Sequence, residues 1–110
     1  MKNYVAHEQY GVFCYHNYVS CTKALKYMPY AQAGVNLYDD GTIVLISYTT
    51  EVIRIEKNVL TCTGLYSMTT RKHISAFLRE YCPQFSFYDI KAIANTNKGI
   101  NVETGELVEV

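Results

Sequence analysis

The most concentrated set of chemically capable side chains is the run Tyr66-Ser67-Met68-Thr69-Thr70-Arg71-Lys72-His73. Ser67, Thr69 and Thr70 stand just ahead of a helical apolar pattern, where such hydroxyls cap the free backbone N–H groups of a first turn. A helix N-terminus offers unpaired donors and partial positive charge, and so attracts anions. Arg71, Lys72 and His73 place further positive charge at the same end, against the macrodipole, so helix stability does not account for them. A phosphate or a partner's carboxylate would. Arg79, two turns further on, extends the basic face. The expected binding set is therefore Tyr66, Ser67, Thr69, Thr70, Arg71, Lys72, His73 and Arg79. The competing reading is plainer: the hydroxyls only cap, and the cations are only solvated.

Other constellations carry less. His73 sits at the edge of the apolar stripe, where a half-buried imidazole bonded to a sheet competes with a general base. Cys14 and His16 share one face of a candidate strand but have no third group to orient them as a nucleophile–base pair. Cys14, His16 and Cys21 also lack the spacing of a closed zinc site, so no metal or cofactor is expected. Gly64 is isolated, and Gly99 and Gly105 flank no strand–helix junction, which leaves no phosphate loop. Carboxylates fall in a turn, at Asp39 and Asp40, and along the tail. No catalytic residue is assigned, and a non-enzymatic protein is expected.

The elements that must position these residues follow from periodicity. Ile74, Phe77, Leu78 and Tyr81 lie at i, i+3, i+4 and i+7, an apolar stripe that predicts a helix over about 69–81 closed by Pro83. Lys72, Ser75 and Arg79 fall on its water-facing side. Val35 to Tyr38, Asp39-Asp40-Gly41 and Thr42 to Tyr48 read as a hairpin, since Asp-Gly supplies the positive φ that tight turns need. No Gly, Pro, Asn or Asp interrupts Thr42 to Glu56, which predicts one long strand bent near Tyr48-Thr49-Thr50. Lys57-Asn58 turns the chain, and Val59 to Leu65 returns, with Gly64 marking a bulge or a close backbone approach. The expected fold is α+β in a single domain over 1–110. An antiparallel meander over 35–65 carries the helix on one face. A strand near Val12–Val19, a short N-terminal helix over 22–28 ending before Pro29, and a strand at Asp89–Ala94 complete it. Residues 95–99 read as loop, and the tail as a hairpin around Thr104-Gly105 or an extended edge.

Composition limits the classes further. A chain of 110 residues with 49% hydrophobic and 18% charged content can bury one core. No apolar run approaches a membrane span. The N-terminal stretch lacks the apolar segment of a signal peptide, so a cytoplasmic protein with no membrane partner is expected. Its four cysteines then read as buried free thiols. The formal net charge is zero, yet residues 1–38 and 57–98 are net basic and 39–56 and 99–110 net acidic. That balance disfavours a dedicated nucleic-acid binder without excluding a local basic face. Eleven tyrosines and no tryptophan suit half-buried sheet positions or a contact surface.

Ser47-Tyr48-x-Thr50, followed by Tyr66-Ser67-x-Thr69-Thr70-x-x-His73, resembles stretches in small phage and mobile-element proteins of unknown function; the similarity covers about 43–81. The resemblance implies a phage-type accessory origin. Many compact proteins of that origin inhibit a host enzyme by occluding it, so the expected function is an anti-defence, anti-CRISPR-like inhibitor. Its partner would be a host protein, such as a defence nuclease or its complex. The second expectation is a nucleic-acid or nucleotide-binding module that uses the basic helix end, with tyrosines to stack on bases. The third is an enzyme using His73 or Cys14. The C-terminal edge could pair within the chain or with a second copy in a homodimer.

Overall fold

The computed structural model describes residues 19–110, with side chains from residue 22 onward. Among these residues seven strands form one antiparallel sheet in chain order: β1 (Val19–Ala24), β2 (Ala33–Tyr38), β3 (Ile43–Ser47), β4 (Thr50–Glu56), β5 (Val59–Cys62), β6 (Lys98–Asn101) and β7 (Leu107–Glu109). Two helices, α1 (Met68–Tyr81) and α2 (Phe87–Ile93), lie in the connection between β5 and β6. Cys14, His16 and the part of the Val12–Val19 strand before Val19 lie outside the described residues, as does the Cys21 side chain.

One row of the sheet builds the core. Val35, Leu45, Ile53 and Cys62 are register partners across β2 to β5, and Leu60 faces Ile100 across β5 and β6. Over that face pack Ile74, Phe77 and Leu78 of α1 with Ile90 and Ile93 of α2, all buried. A register shift in β4 brings Val52 into the core beside Ile53, so two consecutive side chains serve one face.

The fold expected from the sequence is overturned in four places. The long bent strand over 42–56 is two strands, β3 and β4, joined by Tyr48-Thr49 with Ser47 and Thr50 as the closing pair. Tyr48 takes the left-handed conformation, φ 57°, without being Gly, Asn or Asp. Such a residue costs on the order of 1–3 kcal/mol and persists only where its surroundings hold it. Here the Tyr48 N–H donates to the Gln32 carbonyl at 2.7 Å, and the buried Ser47 before it is tied to α1.

The helix expected over 22–28 is absent. β1 runs to Ala24, and Leu25 to Met28 form a tight turn closed by the Met28 N–H on the Leu25 carbonyl at 3.3 Å. The apolar spacing of Leu25 and Met28 is satisfied by that turn. Pairing with β2, helped by Thr22 donating to Asn36 Oδ1 at 2.6 Å, holds the preceding residues extended.

Of Asp89–Ala94, expected as a strand, Asp89 to Ile93 belong to α2 and Ala94 is its C-cap. The Ser86 N–H donates to Asp89 Oδ2 at 2.8 Å, one half of a capping box. Ser-Phe-Tyr-Asp is thus a helix start that aromatic strand propensity had masked.

The meander is not confined to 35–65. It spans β1 to β7, and Lys98–Asn101, expected to begin in loop, pairs with Val59 and Leu60 on one side and with β7 on the other. Val59–Leu65, by contrast, is extended only to Cys62, and the Tyr66 ring packs on Gly64 beyond the strand end. No helix among the described residues is long and apolar enough to cross a membrane.

β6 can approach β5 only because residue 99 is glycine. A Cβ there would sit 2.8 Å from the Leu60 carbonyl oxygen and 2.8 Å from Val59 Cγ1. Gly99→Ala should therefore force the β6–β7 hairpin outward and destabilise the protein by about 1–3 kcal/mol, as overpacking does. Urea denaturation would measure it, and loss of amide protection should appear first in β6 and β7.

Candidate functional site

α1 begins where Ser67 accepts a hydrogen bond from the Thr70 N–H at 3.2 Å. The inward stripe of the helix is polar in its first turns, with Thr70 and His73, and apolar below, with Ile74 and Phe77. The inward row of β3 is likewise apolar at Leu45 and polar at its end, Ser47. The two polar ends meet. Ser47 Oγ lies 2.8 Å from His73 Nδ1 and 3.0 Å from Thr70 Oγ1, and the Ser67 hydroxyl donates to Thr70 Oγ1 at 3.3 Å. With one proton per link, Ser67 donates to Thr70, Thr70 to Ser47 and Ser47 to Nδ1, which places the neutral imidazole proton on Nε2.

A serine hydroxyl at 2.8 Å from an imidazole is the geometry of a nucleophile and its base. Ser47 and His73 are 2% and 1% exposed, so this pair cannot meet a substrate as it stands. Burial also pushes the His73 imidazole below its ordinary value, which keeps it neutral. The chain therefore works as a polar lock between the β3–β4 turn and α1. Two thiols, Cys62 and Cys82, are free and buried, and burial raises both above the ordinary thiol range, away from the thiolate. Among the described residues, no three His, Cys, Asp or Glu side chains converge as a metal site.

The expected binding residues thus divide. Ser67, Thr70 and His73 serve the lock; Tyr66 and Thr69 are exposed, the Tyr66 hydroxyl 2.8 Å from Thr63 Oγ1. Arg71, Lys72 and Arg79 instead line a surface trough along α1. Its larger part, about 540 Å³, lies among Met68, Arg71 and Lys72 of α1, Phe87 and Tyr88 of α2, and Met28 of the β1–β2 turn. A smaller part, about 240 Å³, continues it past Ser75 to Arg79 and Phe85, and the two share Ser75 and Phe87.

The two arginines are placed by aromatic faces. The Arg71 guanidinium lies 5.8 Å from the Phe87 ring centroid, its Nη1 3.9 Å from Met68 Sδ, and its buried Nε has no hydrogen-bond partner. Arg79 lies 4.2 Å over Tyr27, with the Lys26 ammonium 5.4 Å from the same ring. Such contacts are worth about 0.5–1 kcal/mol at exposed sites. That is comparable to the cost of about 0.3–1 kcal/mol for a cation at a helix N-terminus, which answers why Arg71 is tolerated there. Among the described residues no carboxylate lines the trough, and the two on these helices are engaged elsewhere. Glu80 holds Lys23 at 2.9 Å and the Lys26 N–H at 3.0 Å, and Asp89 caps α2.

Sequence reasoning missed Met28, Phe87 and Tyr88, because 22–28 was read as a helix and 89–94 as a strand. The capping pattern Ser86-x-x-Asp89 was the signal that could have placed them. Met68 lay inside the run but was not assigned a role.

A single-sheet meander that carries two helices between its fifth and sixth strands defines a small antiparallel-sheet protein. The chain belongs to a family of unknown function (DUF8033), whose model matches residues 8–100. No curated protein and no solved structure matches it.

Charging His73 would bury a cation and put a second hydrogen between Nδ1 and Ser47. Its proton affinity is lower in the folded than in the unfolded state. The neutral ring's contribution is therefore intact above about pH 6.5 and lost as pH falls below it toward the folded value. Stability measured by denaturant between about pH 7.5 and pH 5 should fall on acidification, with a shallower slope in His73→Asn. Ser47→Ala should cost about 1–3 kcal/mol at neutral pH, because it strips a partner from two buried polar groups.

Proposed function

We propose that this is a non-catalytic binding protein that acts by covering a surface of a partner protein, with the α1–α2 trough as its contact. The observation that carries the reading is the trough itself. It is an open apolar surface edged by Arg71, Lys72 and Arg79, in a region where Met68 and Tyr88 stand 68% and 76% exposed. Large exposed apolar side chains grouped in a concavity mark contact sites on soluble proteins. Tyrosine and arginine are also the side chains that most often anchor interfaces. Met28 and Met68 add thioethers, which adapt to irregular surfaces.

The resemblance of the Ser47-Tyr48-x-Thr50 and Tyr66–His73 segments supports a more specific form, a phage-type inhibitor that occludes a host defence nuclease or another host enzyme. The tyrosine-rich composition and the zero net charge are compatible with an interface in which charge is local.

Affinity capture of the tagged protein from host cells, paired with plaque assays in hosts with and without defence systems, tests the reading. Tyr88→Ala with Met68→Ala should weaken recovery of the captured partner by at least about ten-fold, with the circular dichroism spectrum unchanged. Recovery unaffected by these changes would remove the trough from the reading. Binding to single-stranded nucleic acid that falls steeply with salt, and no protein partner, would replace it with the nucleic-acid alternative.

A further inference from the structure

We infer that the segment the trough receives is an amphipathic helix of the partner whose outer edge carries carboxylates two turns apart. This rests on the trough being the contact surface and specifies what lies in it.

The shape comes from α1. Met68, Lys72, Ser75 and Arg79 stand at i, i+4, i+7 and i+11 and are all exposed, so they form one straight stripe. From Met68 to Arg79 that stripe runs about 16 Å, the length of three helical turns. Phe87 and Tyr88 form the opposite bank, and the shared Ser75 and Phe87 make the two cavities one continuous trough parallel to the α1 axis. One bank is α1, and the other is the first turn of α2 with Pro83, Phe85 and Ser86 of the loop before it. Among the described residues no member of β1 to β7 lines the trough, so no strand edge is available for an extended peptide to pair with. A straight apolar trough between helices takes a helix, which supplies side-chain anchors at i, i+3 or i+4, and i+7.

The charges give the occupant its sign and spacing. Lys72 and Arg79 are seven residues, or about 10.5 Å, apart along α1. With no carboxylate among the described lining residues and with Glu80 and Asp89 engaged, neither cation is neutralised by a described acid of the trough. On a helix lying along α1, two carboxylates separated by seven residues meet both at once. Arg71 lines the Met68 end of the same trough and adds a third positive charge there. The hydrophobic component provides affinity, whereas the charge pattern selects acidic over basic helices and sets the direction of the occupant.

The probes are two synthetic helical peptides of about 14 residues with the same leucine stripe, one with glutamates seven apart on its edge and one with lysines there. Binding is followed by fluorescence anisotropy of the peptide and by the methyl resonances of Met28 and Met68 in the intact protein. The glutamate peptide should shift both methyls saturably and bind at least about ten-fold tighter than the lysine peptide. Lys72→Glu with Arg79→Glu should reverse that preference; Lys72→Gln with Arg79→Gln, which introduces no new charge, should abolish it. Equal binding of the two peptides, or a single-stranded oligonucleotide that moves the same methyls at lower concentration, would overturn the inference. If neither peptide binds while a captured partner is still lost on Tyr88→Ala with Met68→Ala, the helical occupant is wrong and the trough stands. Capture indifferent to those changes means the trough reading itself has failed.

Discussion

Ser47, Thr70 and His73 occupy the place where the inward row of β3 and the inward stripe of α1 both run out of apolar residues. A buried hydroxyl or imidazole without a partner costs several times what an average hydrogen bond contributes, so these polar ends must face one another. That constraint sets both the height of α1 on the sheet and its rotation. A rotation that removed Thr70 and His73 from Ser47 would strip the buried Ser47 hydroxyl and His73 Nδ1 of these partners. It would also lift Ile74 and Phe77 away from Leu45 and Ile53.

The same lock supports local geometry that the backbone would not choose. Tyr48 follows Ser47 directly and sits in the left-handed region; its ring lies 5.7 Å from that of His73. The turn that separates β3 from β4 thus depends on tertiary contacts formed by residues more than twenty positions away in the chain. Because the rotation of α1 is set, its opposite face is set as well: Met68, Lys72, Ser75 and Arg79 point away from the sheet and toward the bank formed by α2. The core-facing stripe and the trough wall are two faces of one helix.

Three basic residues at the positive end of α1 have three different explanations. His73 is neutral and internal. Arg71 is held over Phe87 and beside Met68, at an energy comparable to the dipole penalty. Lys72 has no such support and stands on the rim of the trough. The charge that is unfavourable for the isolated helix is therefore concentrated where an acidic partner would meet it.

Local patterns determined much of this protein. The Asp39-Asp40-Gly41 and Lys57-Asn58 turns, the apolar stripe of α1 and the Ser67 cap are legible because each depends on a few adjacent residues and a backbone preference. Ser47 and the Tyr66–His73 run were visible as a motif, but their roles were not, since an exposed cap and a buried lock use the same residue types. Only tertiary structure decided that 42–56 folds back on itself, because a left-handed tyrosine is stable only when other elements hold it. It also decided that Ser86–Ile93 is helical, where aromatic strand propensity and a capping box compete. The trough needed all three elements placed at once: Met28 from a turn, Lys72 from α1 and Tyr88 from α2 lie far apart in sequence. Periodicity reports which face of an element is apolar, and it carries no information about which other element that face will meet.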